Sequence, residues 1–250
     1  MNFFMSEKRI IFEKADADMF MHFFKRIEEV QSELKNIIVK NHDDFLELAF
    51  TTKKNGKAVN KIEEFLAQTI LVFYKSNYIY DNIYLPNELM AYKSILAKSL
   101  AVFDRASEIK EIKELIAPFN TLFVESFYIF KLKSFRARWD EICTLFLENI
   151  DNMLIQDSFI ELIRYLIEST ESGENEVYIH ETPSQVFLLN ADGLNLTDPI
   201  KKSTTYVAEV ISELILLAPK GIILKCSSVI DQELIRPLVE LFQEKVVVNA

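Results

Sequence analysis

The stretch Ser169-Thr-Glu-Ser-Gly-Glu-Asn175, running straight into Glu176-Val-Tyr-Ile-His180, is where the chain changes its period. Small polar residues and Gly173 make it the best linker in the sequence. Behind it, from about Asn60 to Ser169, apolar residues recur at helical spacing. Ile62, Phe65, Leu66, Thr69, Ile70 and Phe73 form one core-facing stripe, and Phe159, Leu162, Ile163 and Leu166 form another. Ahead of it the period is two. Val177, Ile179, Val186 and Leu188 lie in strand-like runs, and Asn190-Ala-Asp-Gly193 reads as a turn. A helix over Thr204–Leu217, stopped by Pro219-Lys220-Gly221, leads to a strand over Gly221–Cys226. A helix over Asp231–Glu244 and a strand over Val246–Val248 complete the βαβ grammar of a parallel pair.

Working back to the start, Arg9–Phe12 reads as a strand. Asp16 and Asp18 cap a helix through about Val30 with Met19, Phe20, Phe23, Phe24 and Ile27 on one face. Asn36–Val39 and Leu46–Thr51 read as strands. Pro86 and Pro118 restart the helical pattern, and one long segment is expected from Phe119 through about Ile150. The reading is an α+β fold with a small N-terminal α/β unit (1–57), a largely helical middle (58–169) and a C-terminal α/β unit with a small mixed sheet (176–250).

Composition excludes several kinds of function. The 250 residues contain four glycines, against roughly seventeen at the average usage of about 7%. Gly56, Gly173, Gly193 and Gly221 are far apart, so no phosphate loop or dinucleotide fingerprint can be assembled. Three histidines and two cysteines do not form a zinc-ligand pattern, and no metal or cofactor is expected. Cys143 and Cys226 read as reduced thiols of a cytoplasmic protein. Met1–Lys14 lacks the apolar core of a secretory signal, and charge interrupts every apolar stretch before membrane-spanning length.

The net charge of −10 is unevenly placed. Residues 140–180 carry ten acids and one base, a local sum of −9, whereas residues 1–139 sum to +2. Just before this acidic stretch stands Phe127-Tyr-Ile-Phe-Lys131-Leu-Lys133-Ser-Phe-Arg136-Ala-Arg138-Trp139, which mixes cations with aromatic rings. On a helix Lys131, Phe135 and Arg138 share one face, with Lys133 and Arg136 beside it. Lys131, Lys133, Arg136, Arg138 and Trp139 are therefore the candidate binding residues. They suit a protein partner or, alternatively, the phosphates and bases of a nucleic acid. The plainer reading makes Phe127, Phe130 and Phe135 core residues and pairs the cations with nearby acids. The passage Lys225-Cys226-Ser227-Ser228, at a strand end before a helix, is a weaker place for an enzyme site. Asp157, Glu161 and Arg164 show the spacing of any solvated helix face. His22, His42 and His180 stand in no recognisable nucleophile motif, so no catalytic residue is assigned.

Several runs together resemble the YtxC family of putative sporulation proteins: Phe123-Val-Glu-Ser-Phe-Tyr-Ile-Phe-Lys-Leu-Lys-Ser-Phe135, Phe159-Ile-Glu-Leu-Ile-Arg-Tyr-Leu-Ile167, Glu176-Val-Tyr-Ile-His180 and Leu216-Leu-Ala-Pro-Lys-Gly-Ile-Ile-Leu224. The likeness covers roughly the C-terminal half, with the motifs in order. It departs from the pattern at Lys131, where an Arg is expected, and at Lys225, where a strand-ending His is expected. The resemblance implies a cytoplasmic protein of spore-forming Firmicutes and assigns no biochemical activity.

Overall fold

A computed structural model describes residues 5–53, 56–153, 156–170, 172–173, 175–225 and 232–249. The chain opens with β1 (Met5–Glu13), α1 (Ala17–Ile27), β2 (Lys35–Asn41), β3 (Phe45–Lys53) and α2 (Lys57–Ile70). It continues with α3 (Ser76–Asn82), α4 (Lys93–Phe103), α5 (Arg105–Ile116), β4 (Thr121–Phe123), α6 (Val124–Lys131), α7 (Lys133–Met153) and α8 (Gln156–Glu168). Beyond residue 175 follow β5 (Glu176–Glu181), β6 (Gln185–Leu189), β7 (Ile200–Lys201), α9 (Tyr206–Leu217), β8 (Gly221–Lys225), α10 (Gln232–Phe242) and β9 (Val246–Asn249). The fold is α+β. The chain divides into two compact units, residues 1–75 with 105–139 and residues 76–104 with 140–250, so the helical middle is shared between them. The last boundary falls inside α7.

The first unit is built on a four-stranded sheet in the order β2-β3-β1-β4. β1 pairs antiparallel with β3 along its whole length, from Met5 opposite Lys53 to Glu13 opposite Phe45. Ile10, Phe12, Leu48 and Phe50 alternate along their strands and are buried, and Ile11, Glu47 and Ala49 between them are buried too. Against them α1 lays Met19, Phe20, Phe23 and Ile27, all buried, with Phe12 meeting Phe20 edge-on at 5.5 Å. Each such side chain contributes roughly 1.5–3 kcal/mol by leaving water.

Two features depart from the sequence reading. Thr121–Phe123 is a strand, parallel to Arg9–Ile11, and Leu132 separates α6 from α7 where one long helical segment is expected. Three residues have no periodicity to detect; their strand exists because β1 offers a free edge 110 residues away. Second, the stripe of α2 does not carry on to Phe73. A π-helical turn at Leu71–Lys75 takes an extra residue into the turn, and Lys75, Ser76 and Ile79 are buried beyond it.

The second unit has a five-stranded sheet in the order β7-β6-β5-β8-β9. β5, β8 and β9 are mutually parallel, with α9 preceding β8 and α10 linking β8 to β9, as the βαβ pattern requires. The hairpin β5–β6 is antiparallel. Asn190 closes the turn after β6 by accepting the backbone N–H groups of Asp192 and Leu194, with Gly193 at a φ of 79°. The core joins Val177, Ile179, Val186, Leu188, Ile222 and Leu224 to apolar residues of α4, α8, α9 and α10. The left-handed residue ending α9 is Ala218, not Gly221; Pro219 follows, and Gly221 opens β8 instead. β7, only two residues long, has no counterpart in the sequence reading.

Charge follows this division. By sequence the first unit holds 19 basic and 16 acidic residues, net +3, and the second holds nine and 22, net −13.

Candidate functional site

The candidate binding residues all belong to the first unit, on α6 and the first two turns of α7. Val124 and Phe127 face the core from α6, and Leu132, Phe135 and Trp139 continue that buried line into α7. Fixing these apolar residues turns Ile129 and Phe130 outward, 37% and 66% exposed. Phe123, in the short strand just before α6, is 51% exposed. Phe130 is thus not the core residue that the plainer reading makes it. Large rings held this far into water are uncommon on a free surface and mark contact sites when they cluster.

The five polar candidates separate into three groups. Lys131 and Lys133 are exposed, and neither forms an ion pair among the described residues. The ammonium of Lys131 lies 5.9 Å from the Phe119 ring centre. Arg136 and Arg138 are tied to the unit itself. Arg136 donates to the Ile129 carbonyl at 2.7 Å and spreads over Tyr128 at 5.2 Å. Arg138 grips both carboxylate oxygens of Glu111, at 3.1 and 3.0 Å, and stacks on Phe135 at 4.3 Å. Trp139 is fully buried, so it is no part of an exposed face.

What Trp139 does is hold a polar cluster that sequence reasoning missed. Its indole N–H donates to Glu108 Oε1 at 2.9 Å, while Lys75, also fully buried, donates to Glu108 Oε2 at 2.6 Å. Two opposite charges and one neutral donor satisfy each other away from water. No local signal announces this, because lysine and glutamate in a helical pattern ordinarily mean solvent.

The remaining titratable groups are accounted for locally. Burial and the nearby Arg26 and Lys25 push the His22 imidazole down to about 4, and it sits 3.4 Å from the Thr69 hydroxyl. His42 contacts Glu47 at 3.1 Å and stacks on Phe45. Burial, helped by Asp140, pushes the Cys143 thiol up to about 11, the opposite of an activated nucleophile. A hydrogen bond with Glu13 raises the Glu125 carboxyl. Among the described residues no group of three or more His, Cys, Asp and Glu is placed to hold a metal ion. No described helix is long and apolar enough to cross a membrane. Cys226, Ser227 and Ser228, the weaker candidate site, lie outside the described residues. An apolar gap in the first unit, lined by Ile10, Val59, Ile62 and Ile116 and capped by Lys8, measures only about 20 Å³. Small-molecule sites need about 300 Å³ or more.

Phe123, Ile129 and Phe130 are thus exposed along the same short stretch of chain as Lys131 and Lys133, at α6 and the start of α7. No curated protein and no solved structure matches this chain. A family model does match, over residues 62–247, which takes in α6, α7 and nearly all of the second unit. With three quarters of its length covered, the chain belongs to the YtxC-like family.

Proposed function

We propose that this chain is a non-enzymatic protein-interaction module of the cytoplasm, acting in the sporulation setting its family implies. The surface used is the patch of Phe130, Ile129 and Phe123 with Lys131 and Lys133. The single observation that carries the reading is Phe130, 66% exposed with a cation next to it and another exposed ring close by in the chain. An aromatic anchor flanked by positive charge fits a pocket with an acidic rim, the lysines serving encounter rate and orientation. Arg136 and Arg138 support the patch by fixing the α6–α7 junction.

The test is co-purification from sporulating cells, comparing the wild-type chain with Phe130→Ala and with the Lys131→Glu/Lys133→Glu pair. Both variants should lose the same partner band. An unchanged set of partners would overturn the reading. The alternative, nucleic-acid binding through these cations, predicts a salt slope of about two, since Arg136 is engaged with Ile129 and Tyr128 and Arg138 with Glu111, leaving Lys131 and Lys133 for phosphates. A chain of net −10 gives such a weak contact little support.

A further inference from the structure

β2 lies at the edge of the first unit's sheet, and among the described residues no strand pairs with its outer side. The hairpin joining it to β3 fixes which way its backbone points. His42 donates its N–H to the Phe45 carbonyl at 2.9 Å, so these two form a bonded pair. Bonded pairs alternate along an antiparallel ladder, which makes Lys40 with Glu47 and Ile38 with Ala49 the next two. Val39 and Asn41 stand between them and aim their N–H and C=O groups away from β3. Ile38 and Val39 are 47% and 45% exposed, although aliphatic side chains of this size gain by leaving water. The start of the strand is closed to pairing. Asn36, with a φ of 52°, sits in the bulge between Lys35 and Ile38 and turns the backbone out of line. That leaves a short edge, residues 37–41, with exposed Lys35 and Lys40 guarding it against indiscriminate pairing.

We propose that this edge pairs antiparallel with the same edge of a second copy, about a twofold axis at Val39, so that two four-stranded sheets become one of eight strands. The strand is its own complement in that register. Val39 of each copy donates to and accepts from Val39 of the other, and Asn41 comes opposite Ile37. Ile38 lies beside the stem of Lys40, which covers it while the ammonium stays in water. At the two ends, exposed Lys35 of one copy comes level with exposed Asp43 in the hairpin turn of the other. Neither residue has an ion pair among the described residues. Charge rejects the neighbouring registers. An axis at Lys40 sets the two Lys40 side chains against each other, and an axis at Ile38 sets Glu33 against Asp43. The charges that choose the occupant are thus those of the strand and its own turn. A single strand edge buries less than the ~800 Å² per partner of a standard interface, so the dimer is reversible and depends on concentration. This surface shares no residue with the Phe130 patch.

Sedimentation velocity of the full chain, from about 5 to about 500 μM, tests this. The wild-type chain should pass from monomer to dimer across that range. Val39→Pro removes the N–H at the axis, at an outward-facing edge position where proline is tolerated, and should raise the dissociation constant at least about tenfold. Lys35→Asp and Asp43→Lys should each raise it about fivefold, and the two together should restore it to within about a factor of two. Misfolding cannot produce such a rescue. Thermal unfolding by circular dichroism checks each variant. Val39→Lys, which sets two cations against each other at the axis, replaces Val39→Pro if the latter does not fold. A wild-type chain that stays monomeric throughout overturns the proposal. So does a dimer indifferent to the Val39 substitution, or a double swap as weak as its single members. Phe130→Ala should leave dimerisation unchanged; a dimer lost in that variant would belong to the Phe130 patch and would equally overturn the pairing through β2.

Discussion

The two units differ in how much charge they bury and in how much they leave unbalanced. The first brings charges inside and pairs them: Lys75 with Glu108 at 2.6 Å in the interior, Lys8 with Glu63 at 3.4 Å, and Glu47 among Arg9, Lys40 and His42. Its net charge of +3 is the residue of many neutralised pairs. Among its described residues the second buries one such carboxylate, Glu181, paired with Lys202, within a largely apolar core, and it carries an excess of thirteen acids. The contrast teaches that the chain's −10 describes neither half. A buried pair gives a unit directional constraints, since it is satisfied in one geometry only, whereas unpaired surface acids give a long-range field and solubility.

The sharpest way to break the comparison is to break the buried pair. Lys75→Met alone strands the Glu108 carboxylate, and Glu108→Leu alone strands the Lys75 ammonium; each should cost about 3–5 kcal/mol. The double variant should recover most of that loss, the remainder reflecting the unpartnered Trp139 N–H at about 1–3 kcal/mol. Denaturant unfolding followed by the emission of the single tryptophan, Trp139, measures all three. A double variant no more stable than the worse single one would show that the cluster is a net stabiliser.

For the second unit the corresponding test is Cys143, buried in its core. With its thiol pushed up from 9.0 to about 11, the thiolate fraction at pH 7.5 is about 100-fold below that of an ordinary cysteine. In a Cys226→Ala background, disulfide-exchange labelling should be slower by about that factor and should recover on unfolding. Fast labelling would mean this core is open.

His22 sharpens the contrast through pH. Its folded value lies below the unfolded one, so the unfolded chain takes up the proton first. The stability it contributes is full above about pH 6.5 and is lost as pH falls toward about 4. His22→Leu should flatten that part of the stability–pH curve, measured by denaturant midpoints at pH 7 and 4.5. An unaltered slope would remove His22 as its source.

The smallest effect is expected at Arg138. Its pair with Glu111 is nearly half-exposed on both sides, and Arg138→Ala should cost under about 1 kcal/mol, less in high salt. A larger loss would mean that stacking on Phe135 matters more than the ion pair.

Much of this architecture is legible without coordinates. The stripes of α1, α2 and α8, the hairpin β5–β6 and the β8-α10-β9 crossover follow from periodicity, because burial on one face imposes a period of 3.6 or two on the residues themselves. β4 and β7 do not, since strands of three and two residues exist only through the partners they pair with. Within the candidate residues at α6–α7, burial was not legible. Trp139 and Arg138 read alike as surface residues, yet one is buried against Glu108 and the other is held by Glu111.

The amino-acid order by itself therefore determined the α+β class, the helical stripes, the parallel C-terminal pair and the family. Those depend on local repetition and on motif order, which are one-dimensional properties. Only the tertiary structure decided which polar residues are inside, which ring of the aromatic run faces water, and which strands the short β4 and β7 pair with. Each of these depends on elements distant in sequence, and the free energy of a charge or a ring is set by what stands next to it in space.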